Sequence, residues 1–303
     1  MRWWPVTVRA SDAAHRRQIG EALIGAGASS VLEEGDALLT LFPDTVPREL
    51  VRRAVRRVSI TAVCTCDASR EVDVQATLHG TVGVHREGRI AIAPPWLVHE
   101  AQAILANGCL DVPGGAASGT TPNEHEHTTA RHLVLIEPGM AFGTGEHATT
   151  RAALRLLEHA LHPGDVVADL GAGSAVLSIA AAMLGARQVV AIEMDEHAAA
   201  EGERNAQRNG VDDRVTVLCG DAAALLPLVA PVRLVVANIL STVVIALEEL
   251  MRDALQPGGE AIISGVLAAE REEVLAAFAP RGWNVVEETV DEGWWSARLA
   301  VPC

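Results

Sequence analysis

The sequence contains no lysine: its 24 cations are all arginine, set against 39 acidic residues for a formal charge of −15. Without lysine there is no P-loop and no lysine to pair with a pyrophosphate. The acidic surplus argues against direct, non-specific nucleic-acid binding, which needs spare cations to neutralise phosphates, and it admits a basic protein as partner. Long hydrophobic runs are lacking too. No apolar stretch approaches the ~18 residues of a membrane span, and Met1-Arg2-Trp3-Trp4-Pro5 lacks the apolar run of a signal peptide. A cytoplasmic protein without membrane attachment is expected. Cysteines number five. Cys64, Cys66, Cys109, Cys219 and Cys303 show no C-x-x-C spacing and fit reduced thiols. Cys64 and Cys66 alternate along an apparent strand and share a face, yet two ligands fall short of a zinc site, and no metal is expected.

What is present suffices for two domains, since 303 residues with 49% hydrophobic content exceed one ordinary unit of ~100 to 200 residues. The first part reads as strand (4–9), helix (11–25), two strands (30–33 and 37–42), helix (47–58) and strand (59–65). Ile19, Leu23 and Ala26 recur at helical spacing, as do Val51, Ala54, Val55 and Val58. That βαββαβ order predicts a ferredoxin-like α+β module. Arg48, Arg52, Arg53, Arg56 and Arg57 fall away from the apolar stripe of the second helix, where they form either a solvated face or a partner-binding one. Short β-like runs follow over 72–92. Residues 111–131 are rich in Gly, Pro, Thr and Ser and carry no apolar period, so a mobile loop is expected there, with His125 and His127 as a solvated pair.

From Asp165 onward strands and helices alternate strictly. Strands are expected at 166–169, 188–193, 215–219, 234–237 and 260–264, with helices at 175–184, 196–209, 222–229 and 242–255 between them. Apolar strands joined by crossover helices mean a parallel sheet covered on both faces. After a helix at 270–279, the runs at 284–288 and 294–300 lie too close together for a parallel crossover, so the last strand should enter antiparallel.

Asp169-Leu170-Gly171-Ala172-Gly173-Ser174-Ala175 sits between the first of these strands and a helix, where doubly wound sheets bind nucleotide-like ligands. Gly171 and Gly173 bring the backbone close to the ligand. The third glycine of the dinucleotide fingerprint is absent, its place taken by Val176. Glu193 ends the second strand, 22 positions beyond Gly171, and can accept both ribose hydroxyls, in an NAD site or in one for S-adenosylmethionine. Asp221 is placed to accept from an adenine amino group.

Asn238, in Val236-Ala237-Asn238-Ile239-Leu240-Ser241, discriminates between those cofactors. Its carboxamide oxygen can accept from an incoming amine and aim the amine lone pair at a sulfonium methyl, a need that hydride transfer does not share. The alternative is a turn asparagine capping the next helix. Upstream, Glu137-Pro138-Gly139-Met140-Ala141-Phe142-Gly143-Thr144-Gly145-Glu146-His147-Ala148-Thr149-Thr150 precedes a helix expected at 151–161. This loop can fold over a ligand at Phe142 and Gly143, and Thr150 is the candidate N-cap. For His147 a general base and a loop scaffold are both open.

The loop motif, the glycine turn at 169–174, Val236-Ala237-Asn238-Ile239-Leu240 and Ser264-Gly265-Val266-Leu267 together resemble the bacterial PrmA family, which methylates large-subunit ribosomal protein L11. The resemblance runs from about Arg89 to the C-terminus. It implies a class I methyltransferase fold, α/β and Rossmann-like with seven strands, behind a smaller ferredoxin-like domain that recognises the ribosomal protein. It implies S-adenosylmethionine as cofactor and amino nitrogens as acceptors, and it places Thr150, Gly171, Glu193 and Asn238 on cofactor-binding positions. Ala175 stands where the family has glycine, which is expected to be a minor intrusion. The division expected is 1–100 for the recognition domain, 101–132 for a linker and 133–303 for the catalytic domain. Asn238 is the expected catalytic residue, with Phe142, Gly143, Thr150, Asp169, Gly171, Gly173, Glu193 and Asp221 beside it at the cofactor. An enzyme acting on another protein or a small amine, an NAD-dependent oxidoreductase, and a non-catalytic ribosome-associated binding module that uses the N-terminal domain alone are the alternatives.

Overall fold

In β1 (Arg2–Arg9), residues Trp4, Val6 and Val8 alternate inward and are buried, as a strand with one covered face requires. The computed structural model describes residues 2–28, 31–43, 45–59, 61–66, 70–71, 83–107, 131–138, 143 and 145–301. Chain contacts divide it into two units, 1–80 and 81–303.

The first unit continues with α1 (Ala13–Gly25), β2 (Leu32–Glu34), β3 (Ala37–Pro43), α2 (Arg48–Val58), β4 (Val63–Cys66) and β5 (Arg70–Glu71). Its strands run in the order β2-β3-β1-β4, all antiparallel, with β5 continuing along β1, which is the ferredoxin-like arrangement. Ile19 and Leu23 of α1 and Val51 and Val55 of α2 close the core over Trp4 and Phe42, whose rings stack at 5.1 Å. Each such side chain contributes roughly 1.5–3 kcal/mol on burial. Cys64 and Cys66 share a face with their sulfurs 4.0 Å apart, as their alternation predicts.

The second unit opens earlier than a boundary at residue 100 implies. β6 (His85–Glu87), β7 (Ile90–Ala93) and β8 (His132–Leu135) form one sheet, with β7 parallel to β8, and Ile90 and Ile92 belong to the same core as Val134 and Leu154. Those buried contacts pull 83–100 into this unit. The expected linker begins as a helix, α3 (Val98–Asn107), and residues 108–130, with the expected mobile loop and its two histidines, lie outside the described residues.

The remaining elements are α4 (Ala148–Ala160), β9 (Val166–Leu170), α5 (Val176–Met183), β10 (Gln188–Glu193), α6 (Glu196–Arg208), β11 (Val215–Cys219), α7 (Ala222–Val229), β12 (Val232–Asn238), α8 (Ser241–Ala254), β13 (Leu255–Leu267), α9 (Arg271–Phe278), β14 (Asn284–Asp291) and β15 (Trp294–Ala300). The sheet order is β11-β10-β9-β12-β13-β15-β14, parallel except for β15, which runs antiparallel to both neighbours. Helices α4, α5 and α6 fill one face and α7, α8 and α9 the other, each with its own buried cluster. The strand order reverses between β9 and β12, and the crevice beyond their carboxyl ends is where such sheets bind ligands.

Candidate active site

β9 delivers the glycine turn to that crevice. Gly171 and Gly173 adopt φ of 69° and 53°, conformations that side-chain-bearing residues rarely hold. Gly171 N–H donates to Ile192 O at 2.8 Å, and a Cβ on Gly171 would collide with the Ile239 side chain. Ala175 departs from the expectation of a minor intrusion. It holds φ 63° as the N-cap of α5, so its cost lies in the backbone rather than in the bulk of a methyl group. The methyl itself has room because Gly202 stands opposite, where an added Cβ would come within 3.2 Å of the Ala175 Cβ.

The acidic residues divide by burial. Glu193 Oε2 accepts from Gly173 N–H at 2.8 Å and Oε1 from Asp195 N–H at 2.9 Å, so the carboxylate is fixed against the turn while each oxygen retains accepting capacity. Asp169 is buried and accepts from Ser178 Oγ at 2.6 Å. Burial pushes its carboxyl up to about 6, the Glu193 charge adds to the rise, and the Ser178 hydrogen bonds oppose it. Asp221 is exposed and caps α7, accepting from Ala223 N–H at 3.0 Å through Oδ1.

Asn238 closes β12. Its Nδ2 lies 3.5 Å from Thr150 Oγ1, and its buried Oδ1 has no hydrogen-bond partner among the described residues. The helix-capping alternative fails, because the N-cap of α8 is Leu240. Gly265, at φ 78°, leaves the space beside this carboxamide open: a Cβ there would come within 3.1 Å of Oδ1. Ser264 pairs in register with Asn238, and its hydroxyl donates to Thr149 O at 2.9 Å and meets Ser296 Oγ at 2.7 Å. This fully buried chain ties the first turn of α4 to β13 and β15. It escapes a sequence reading, since only strand register brings Ser264 and Ser296 together.

Thr150 is not the N-cap expected of it. α4 begins at Ala148, and His147 caps it by accepting from Thr149 N–H through Nδ1, which places Thr150 in the first turn, fully buried. The same Nδ1 lies 2.8 Å from Thr149 Oγ1, and the ring meets Trp294 edge-on at 5.1 Å. Burial lowers the pKa of His147, favouring the neutral ring. With Nδ1 accepting, the proton of that ring sits on Nε2, so the geometry favours the scaffold over the base. Gly143, at φ 104°, accepts through its carbonyl from Ser174 Oγ at 2.7 Å, which holds the upstream loop to the glycine turn. Phe142 lies outside the described residues.

Asn205 on α6 and Asn209 at its C-terminal cap are further site supports that the sequence reading misses. Asn205 donates to Ser174 O at 3.1 Å and accepts from Glu137 N–H at 3.2 Å, while Asn209 accepts from Leu135 N–H at 2.8 Å and donates to Leu135 O at 2.7 Å. Two asparagines at i, i+4 on one helix face are the available signal. Buried polar groups are retained when they find such partners.

Residues 117–300 match the family model described as ribosomal protein L11 methyltransferase (PrmA). The ribosomal protein L11 methyltransferase of Thiobacillus denitrificans is 34% identical over 311 residues, covering 97% of each chain. That of Thermus thermophilus is 44% identical over 170 residues, 56% of this chain and 65% of the relative. A crystal structure of ribosomal protein L11 methylase from Lactobacillus delbrueckii subsp. bulgaricus shares the fold with a TM-score of 0.57 at 24% identity, covering 73% of this chain and 99% of that one.

Proposed function

The chain belongs to the ribosomal protein L11 methyltransferase family, and on that footing we propose that it moves methyl groups from S-adenosylmethionine to amino nitrogens of ribosomal protein L11, on lysine side chains, the N-terminus or both. The observation that carries the reading is the buried Asn238 Oδ1, without a partner among the described residues, beside Thr150 at the carboxyl end of β12. A hydride-transfer site has no use for such an acceptor, and the third fingerprint glycine is replaced by Val176, so an NAD enzyme fits less well.

The residues present fit the cofactor. The bare backbone of Gly171 and Gly173 admits it, Glu193 offers free lone pairs to its ribose hydroxyls, and Asp221 keeps one carboxylate oxygen for an adenine amino group. S-adenosylmethionine supplies an electrophilic methyl on a sulfonium, taken by the acceptor in one in-line displacement. Asn238 Oδ1 accepts an N–H of the incoming amine and fixes the direction of its lone pair. Thr150 Oγ1 in turn fixes the carboxamide, since accepting from Nδ2 leaves Oδ1 facing the amine. The amine has to be neutral before attack, and a carboxamide, unlike a carboxylate, does not hold it in its charged form. Such alignment supplies several powers of ten in rate without acid or base chemistry.

Calorimetry against S-adenosylmethionine and NAD tests the cofactor: binding of the first and not the second is expected, and the reverse overturns the reading. The separate ferredoxin-like unit supports a role in recognising L11. A fragment starting at residue 83, which keeps the β6-β7-β8 sheet whole, should then bind cofactor and lose methylation of L11. Full methylation by that fragment would remove the role. With L11 as substrate, the enzyme works in the cytoplasm. No helix among the described residues is long and apolar enough to cross a membrane.

A further inference from the structure

The net charge of −15 is not shared evenly. Residues 1–80 hold ten of the 24 arginines and ten of the 39 acidic residues, so that unit is neutral and the whole surplus lies in 81–303. Within the neutral unit α2 gathers five arginines, at 48, 52, 53, 56 and 57, with Glu49 as its only acidic residue. Val51 and Val55 turn inward, Arg53, Arg56 and Arg57 are exposed, and Arg48 and Arg52 are partly so. None of the five pairs with a carboxylate among the described residues. In the second unit, by contrast, Arg89, Arg151, Arg155, Arg208, Arg271 and Arg281 all do. Two contacts of these arginines among the described residues are with uncharged groups: Arg48 stands 5.4 Å above the Trp4 ring, and Arg52 and Arg56 lie toward the Cys64 thiol.

The five form two rows, 48-52-56 and 53-57, with successive positions in a row about 6 Å apart along the helix axis. Like charges at that spacing destabilise a helix, and against the five arginines α2 itself sets only Glu49. A bound polyanion would offset the remainder. We propose that this face of α2 binds the phosphate backbone of RNA without regard to sequence. Planar guanidiniums engage phosphate oxygens two at a time, and a backbone needs only such a row of charges. An acidic peptide would in addition need apolar anchors, and the exposed side of α2 offers only Leu50, 39% exposed. A basic protein has the wrong sign for this face. The proposal therefore goes beyond methyl transfer and does not depend on it, and it reverses locally what the net charge implies for the whole chain.

The test uses the full chain and a fluorescein-labelled RNA of about 16 nucleotides, followed by anisotropy from about 50 to about 200 mM KCl. Four or five phosphate contacts predict a slope of log K on log[salt] near about −3, a weakening of roughly 60-fold across that range. Replacing Arg52, Arg53, Arg56 and Arg57 together by Glu should abolish binding, and replacing the same four by Lys should keep it within about 3-fold, since lysine retains the charge. The Lys variant guards against loss of binding through misfolding, as does an unchanged thermal unfolding profile in the Glu variant. Three results would overturn the proposal: no binding of the natural protein at the lowest salt, equal binding by the Glu variant, or displacement of the RNA by polyglutamate at equal charge concentration. The last would assign the face to an acidic protein.

Discussion

Asn238 and Thr150, 88 positions apart in the chain, meet through Nδ2 and Oγ1 at 3.5 Å, and the carboxamide oxygen that this leaves over is buried without a partner among the described residues. An unpaired buried acceptor costs on the order of 1–3 kcal/mol, so its retention points to a group that arrives only with the substrate. If alignment is its work, Asn238→Ala should slow methyl transfer by on the order of 10²-fold or more while weakening cofactor binding less. Asn238→Asp keeps an acceptor but holds the amine in its charged form, so its activity should recover at alkaline pH more than that of the natural protein. Single-turnover rates across pH check both, and a normal chemical step in Asn238→Ala would contradict the assignment.

Glu193 stands at the glycine turn, its carboxylate held by Gly173 and Asp195 N–H groups, and is proposed to hold the ribose of the cofactor. Glu193→Ala should lose the ribose pair, worth roughly 1.5 to 3 kcal/mol, or about 10- to 150-fold in affinity for S-adenosylmethionine. Calorimetry showing unchanged affinity would remove the residue from the site.

Much of this was legible because crossover connections leave few choices: β10 falls on 188–193 as the apolar run between two helices requires, and β15 runs antiparallel because its link to β14 is short. The place of Asn238 at a strand end was legible too. α3 was not, since Ala101 and Ile104 are the only apolar residues buried on it among the described ones and two preceding prolines read as loop. The start of α4 was misjudged because histidine is an uncommon N-cap, and the role of Thr150 shifted from cap to partner of Asn238 with it. The Ser264–Ser296 pair and the placement of Ala175 depend on register and backbone angle, and neither quantity has a local signature.

Ala175 carries a left-handed backbone that glycine adopts freely. Ala175→Gly should therefore stabilise the protein by about 1 kcal/mol, or about 2–4 °C in Tm for a unit of this size. Differential scanning calorimetry checks this, and a lower Tm would show that the methyl contact opposite Gly202 outweighs the strain.

Asp169 binds its proton more tightly in the folded chain, with a pKa of about 6 against an ordinary value of 3.8. A raised carboxyl contributes stability that is fully present below the unfolded value and is lost as pH rises through the folded one. Ionising it thus costs about 3 kcal/mol, reached between about pH 4 and 6. Asp169→Asn, whose carbonyl can still accept from Ser178, should lack that loss. Tm against pH for the two proteins should converge toward pH 4 and separate toward pH 7, with the variant higher, and parallel curves would place the Asp169 pKa near its ordinary value.

The central claim is that this chain methylates amino groups of L11 at a site built around Asn238. Incubating the protein with S-adenosylmethionine and unmethylated recombinant L11, then locating added methyls by mass spectrometry of L11 peptides, tests it directly. Methyl increments on amino nitrogens, made by the natural protein and strongly reduced with Asn238→Ala, are predicted. L11 left unmodified by natural protein that binds the cofactor would contradict the account.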